Sequence, residues 1–207
     1  MKKRPVVLHR TLLALPMLLA AAVPALRAAE DETPSAMLQA ATVEILIIAC
    51  PEGGPPTPDV VAAQVRPILD RTMDFEAITR RALGSGWRSF AAAERTRAVE
   101  LFTALMVRTC AVRFSGGERP KIDYKPPVAI APDRWEVPTQ VSRDGSSYEI
   151  IYRIERRPGG LRICDIVAEG VSFVANYRAQ FDALFQKGGT AAVLHALEAR
   201  QAAIAGH

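Results

Sequence analysis

The side chains able to run a reaction are few and scattered. Beyond residue 29 the chain holds two histidines, His195 and His207, and three cysteines, Cys50, Cys110 and Cys164. A zinc site or a nucleophile–base pair needs several such groups converging. One histidine among Ala and Leu on a terminal helix, and another at the last position, give that chemistry almost nothing to build on. Ser115-Gly116-Gly117 and Gly159-Gly160 match neither of the glycine patterns that cradle phosphates, and read as turns. Asp165 stands out as an acid inside an otherwise apolar strand, Leu161-Arg162-Ile163-Cys164-Asp165-Ile166-Val167. A buried carboxylate must find a donor, and Arg80, Arg81, Arg108 or Arg178 are the partners expected. Its role is read as structural, with a general base in a small α+β hydrolase or isomerase as the alternative. No catalytic residue, no metal and no cofactor are expected.

The cysteines are odd in number and each lies inside an apolar run, so small buried thiols are expected rather than a disulfide framework. Cys110 with Cys164 is the one pair worth testing.

Lys2, Lys3, Arg4 and Arg10 precede an apolar stretch from Thr11 to Leu26 that is broken by Pro16 and Pro24 and followed by small residues. This pattern is that of a secretory signal, too short and interrupted for a spanning helix of roughly 20 apolar residues. Residues 1–29 are therefore expected to be removed, with cleavage near Ala25 to Ala29, and residues 30–207 to form one exported domain. The segment also distorts the charge. The whole chain is formally +4, but residues 1–29 carry five basic residues and no acid; removing them leaves 21 basic against 22 acidic residues, a net of −1. Nucleic-acid binding then loses its main support.

The elements follow from periodicity and breakers. Met37, Leu38, Ala41, Val43, Ile45, Leu46 and Ile48 predict a helix from Ser35 to Ala49, ended by Pro51. After the proline-rich loop to Pro58, helices are expected over Val60 to Arg71, kinked at Pro67, and over Phe75 to Leu83, capped by Asp74 and stopped by Gly84. Ala91 to Phe114 is apolar on more than one face, so it must cross a core or wall a cavity. Strands are expected at Ile122–Tyr124, Val128–Ile130, Arg134–Val141, Tyr148–Glu155 and Leu161–Ala168, with apolar and charged residues alternating from Tyr148 to Glu155. Gly170 permits a turn and Ser172 caps a helix to Gln186, bearing Phe173, Tyr177, Phe181, Leu184 and Phe185; after Gly188 a last helix runs from Thr190 to about Ile204. Helices, then strands, then helices argue an α+β fold: a curved antiparallel sheet covered on one face by a helical layer. Periodicity alone does not separate a filled core from a lipid cavity, and a solid-core interaction domain stays open at this point.

Several stretches, taken in order and spacing, resemble the MlaC-type periplasmic phospholipid-binding proteins, also called the toluene-tolerance family. They are Asp74-Phe75 through Arg81-Ala82-Leu83-Gly84, Trp87-Arg88, Leu101-Phe102 with Leu105-Met106-Val107-Arg108-Thr109-Cys110-Ala111, and Asp165 with Glu169-Gly170-Val171-Ser172. Tyr177-Arg178, Phe181 and Gly188-Gly189 extend the likeness over roughly residues 36–200.

The resemblance implies a periplasmic carrier without enzymatic activity. Its apolar cavity would hold phospholipid acyl chains as cargo and would be lined by Leu101, Leu105, Met106, Val128, Val137, Ile150, Tyr152, Val171, Phe173 and Tyr177. It implies as partners an inner-membrane MCE-protein/ABC-transporter complex and an outer-membrane lipoprotein complex, in a system linked to outer-membrane lipid asymmetry. Cys110 and Cys164 stand where relatives usually have Tyr, and Leu161 where Trp is frequent. These exchanges are expected to widen the cavity, which makes a polycyclic lipid, as in a hopanoid-associated branch, the alternative cargo.

Overall fold

Capping residues set most of the helix boundaries. In the computed structural model, residues 32–54, 56–114 and 118–205 are described; the expected signal segment 1–29, His207 and the Ser115-Gly116-Gly117 turn lie outside them. Helix α1 (Pro34–Ala49) starts where the Thr33 side chain accepts from the Ala36 N–H at 3.2 Å, with Pro at its first position, where no donor is needed. Helix α2 (Pro58–Thr72) continues through Pro67. Helix α3 (Phe75–Leu83) has the expected ends: Asp74 accepts from the Ala77 N–H at 2.9 Å, and Gly84 closes it at φ 55°, a left-handed conformation that favours glycine. A 3-10 run, Gly84–Ser89, then leads into the long α4 (Ala92–Phe114).

The second half is a six-stranded antiparallel sheet ordered β1-β3-β4-β5-β6, with β2 pairing β3. Its strands are β1 (Lys121–Tyr124), β2 (Val128–Ala131), β3 (Arg134–Arg143), β4 (Ser146–Arg157), β5 (Gly160–Ala168) and the two-residue β6 (Val171–Ser172). The final element α5 (Phe173–Ala205) is two helices joined at Gly188 and Gly189, whose backbone is non-helical. The molecule is the α+β fold expected from its element order, a curved sheet with a helical layer.

The pairing register assigns the two faces. Val137 faces Tyr152, Thr139 faces Ile150 and Trp135 faces Ile154, while Tyr152 pairs Ile166 on the other side. Directly paired residues share a face, so Trp135, Val137, Thr139, Ile150, Tyr152, Ile154 and Ile166 form one apolar face. Glu136, Arg153, Glu155 and Asp165 form the opposite, charged one. A β-bulge lies at Cys164, where Arg153 pairs Asp165 but Ile154 already pairs Ile163.

The core divides in two. A large cluster joins α1 to α5, centred on Val61, Val65, Ile78, Leu101, Phe102, Phe181, Val193 and Leu197. A smaller one sets Met37 and Leu38 of α1 against Val137, Ile154, Leu161 and Ile163 of the sheet.

Candidate functional site

Along the apolar face the cover is graded. Ile154, Val137 and Thr139 are fully buried and Leu161 nearly so; Ile150, Tyr152, Val141 and Ile166 are half-buried; Tyr148 and Ala168 are exposed. Helices thus seal the sheet at the Ile154 end and leave it thinly covered toward Tyr148.

Tyr152 and Cys110 sharpen this picture. Burial pushes the Cys110 thiol up to about 12 and raises the Tyr152 hydroxyl well above its usual value, with Tyr124 and Cys110 near enough to add to the latter. Both side chains are half-buried. The two groups lie close enough to act on each other, which brings the C-terminal half of α4 near the middle of β4. Met106, buried at 6%, lies one turn before Cys110 on the same stripe of α4.

The remaining expected residues are covered unevenly. Leu101 and Leu105 are buried in the helical cluster. Phe173 and Tyr177 are half-buried and pack on Phe102, with ring centroids 5.8 and 4.8 Å away; Phe181 joins at 5.3 Å. This aromatic group ties the first half of α5 to α4. Val171 is 60% exposed and pairs with Ala168 at the thinly covered end, so it stands on the rim. Val128 departs most: it is 53% exposed and pairs with Glu136, which sets it on the charged face, one residue out of phase with Val137. The strand was recognised but its pairing was not, and a single step of register reverses a side chain.

Asp165 is bound as a structural carboxylate, though not by the arginines expected. Its partner is Arg153, directly across the β4–β5 pair at 3.0 Å; the Ser172 hydroxyl donates to it at 2.6 Å, and the N–H groups of Val174 and Ile166 donate at 3.1 and 2.9 Å. Ser172 also accepts from the Ala175 N–H at 3.0 Å, as expected of a helix cap. Asp165 therefore pins the start of α5 to the sheet. Among the described residues no three metal-ligand side chains gather.

Sequence reading missed a second feature, a cleft of about 390 Å³ on the charged side, lined by Arg81, Arg134, Arg153, Arg178, Glu155 and Asp165 among others. None of the ten expected lipid-site residues lines it. Burial alone would raise the Glu155 carboxyl, but Arg81, donating at 2.7 and 2.8 Å, and nearby Arg134 hold it below its ordinary value. The alternation of Arg153, Glu155 and Arg157 along β4 was the available signal, and it read only as a solvated face.

Cys164 belongs to this cleft. The bulge turns it toward Arg81 and Glu155, and its thiol donates to the Arg153 carbonyl at 3.3 Å. Cys110 and Cys164 therefore do not shape one cavity together, contrary to expectation. Burial, with the Glu155 charge, pushes the Cys164 thiol up to about 11 against the opposing effect of Arg81. The three cysteines are unbridged. Folding holds these two thiols protonated above their ordinary 9.0, so the folded chain keeps protons that the unfolded chain loses, and stability falls as pH rises from about 9 toward 12. In thiol titration at pH 8, Cys110 and Cys164 are expected to react slowly until denaturant is added, after which three thiols per chain should titrate; fewer than three without reductant would contradict the free state.

The described residues contain no helix long and apolar enough to cross a membrane. Residues 47–199 match the family model described as "MlaC protein". The chain is also similar in structure to the phospholipid-binding protein from Ralstonia solanacearum, solved in complex with a phospholipid. The two share 27% identity and a TM-score of 0.74, over 82% of this chain and 97% of that one. No curated protein matches the sequence.

Proposed function

The chain belongs to the MlaC family, and from that premise we propose that it is a periplasmic carrier that binds phospholipid in a hollow between α4 and the apolar face of the sheet. The observation that carries this reading is the graded cover of that face, together with the closeness of half-buried Tyr152 to Cys110 of α4. Buried apolar area is the binding force, at about 0.8 kcal/mol per methylene, so a lipid tail several methylenes deep leaves slowly. The phospholipid bound by the Ralstonia solanacearum protein supports the same cargo class.

Leu105, Met106, Ile150, Tyr152, Phe173 and Tyr177 are the proposed lining, with Leu101 and Val137 behind them and Val171 on the rim; Val128 is left out. The partners in this reading are an inner-membrane MCE-protein/ABC-transporter assembly and an outer-membrane lipoprotein complex, between which the carrier shuttles lipid without performing chemistry. The carboxylate of Asp165, engaged by four donors, fits a positioning role better than that of a base.

Native mass spectrometry of the purified exported protein, followed by lipid extraction, tests the proposal. A bound phospholipid is the expected result. Lipid-free protein from membrane-rich cells would overturn it, and a polycyclic lipid alone would replace the cargo class. Val171→Glu puts a charge on the rim without burying it, so the variant should fold normally and retain less lipid in the same experiment.

A further inference from the structure

The charged cleft has a surplus of positive charge that its own ion pairs do not absorb. Its lining holds four arginines against two carboxylates, leaving two positive charges over. Arg81 is spent on Glu155, and Arg153 is shared between Glu136 at 2.9 Å and Asp165 at 3.0 Å. Arg134 reaches Glu155 at 3.3 Å but is half exposed, and Glu155 also receives Arg157 at 2.7 Å. Arg178, on the first half of α5, has no carboxylate partner among the described residues. It is exposed, and its guanidinium lies directly over Gly84, where a Cβ would stand only 2.7 Å from Nε. Gly84 closes α3 three residues after Arg81, so one short segment supplies both a paired arginine and the seat for an unpaired one.

We propose that this cleft is a phosphate-binding site, with Arg178 and the half-exposed Arg134 as its ligands. A guanidinium fork matches the paired oxygens of a phosphate, and the neighbouring salt bridges fix the surrounding arginines so that binding costs little reordering. The phosphate comes either from headgroups at a bilayer surface or from a free phosphate compound. The choice of phosphate over carboxylate rests on the carrier reading, because a protein that trades phospholipid meets phosphate-bearing surfaces. The charge surplus itself does not depend on that reading.

The test uses the exported protein with Arg178→Gln and Arg178→Lys. Inorganic phosphate, at ionic strength matched with chloride, should shift the amide resonances of Ser172, Val174, Ala175 and Arg178. Flotation with vesicles of phosphatidylcholine mixed with phosphatidylglycerol should exceed flotation with phosphatidylcholine alone. Arg178→Gln should weaken whichever binding is seen by at least about fivefold, the effect of one arginine at an anionic surface, and Arg178→Lys should weaken it less. Phosphate shifts without vesicle binding assign a soluble source, and Arg178-dependent flotation without phosphate shifts assigns the bilayer; both support the site. Two results overturn it: no Arg178-dependent response in either arm, or shifts produced by polyglutamate and not by phosphate, which would mark the cleft as a seat for an acidic protein. Lipid occupancy by native mass spectrometry separates the two readings. Occupied protein with an inert cleft sinks this proposal alone, and empty protein with a working cleft sinks the carrier reading alone.

Discussion

Asp165→Ala is expected to destabilise the protein by about 3–5 kcal/mol, since it removes a buried acceptor of four hydrogen bonds and leaves its donors unpaired. Arg153 is cushioned, because it is part exposed and keeps Glu136. The Ser172 hydroxyl and the Val174 N–H are not, and both stand at the junction of β6 and α5. Asp165→Asn retains one acceptor oxygen and should lose about half as much. Denaturant unfolding gives the magnitudes. Amide exchange should show protection lost first around residues 172–177. If both variants unfold at the wild-type midpoint, the carboxylate is not the pin described here, and a chemical role for it would return to consideration.

Phe102→Ala is the second large effect. Phe102 is fully buried and is the ring that Phe173, Tyr177 and Phe181 all meet. Truncating a buried phenylalanine typically costs about 3–5 kcal/mol through lost transfer energy and the cavity left behind. Here the lost contacts are those between α4 and α5, the two helices beside the proposed hollow. Bound lipid should therefore exchange faster in this variant, even under conditions where it remains folded. A competition assay with labelled phospholipid measures that rate, and an unchanged rate would mean that exchange does not proceed by parting these helices.

What could be read from the residues depended on how local the information was. Helix α3 was legible to the residue because its signals, Asp74 and Gly84, are its immediate neighbours. The strands were legible as a set because alternation is also local. The 3-10 run Gly84–Ser89 has no hydrophobic period to reveal it, and β6 is too short to have one. Pairing was where reading stopped. Asp165 finds Arg153 because register sets them opposite, and the bulge at Cys164 that shapes this corner has no signature in the sequence. The same gap misplaced Val128 and hid the cleft, whose arginines come from α3, β3, β4 and α5 and are neighbours only in space.

The half-covered sheet face has a mechanical consequence. Unfilled interior volume is eliminated when a chain unfolds, so pressure favours the unfolded state, with volume changes of about −20 to −100 mL/mol that scale with the void. If the sheet face, sealed at Ile154 and thinly covered toward Tyr148, encloses such a void in the proposed hollow, pressure should unfold the empty protein more readily than the filled one. An occupant of the hollow would act as filler and make the loaded form the less compressible of the two. In the proposed carrier, cargo would then be part of the packing, and the empty form the softer body.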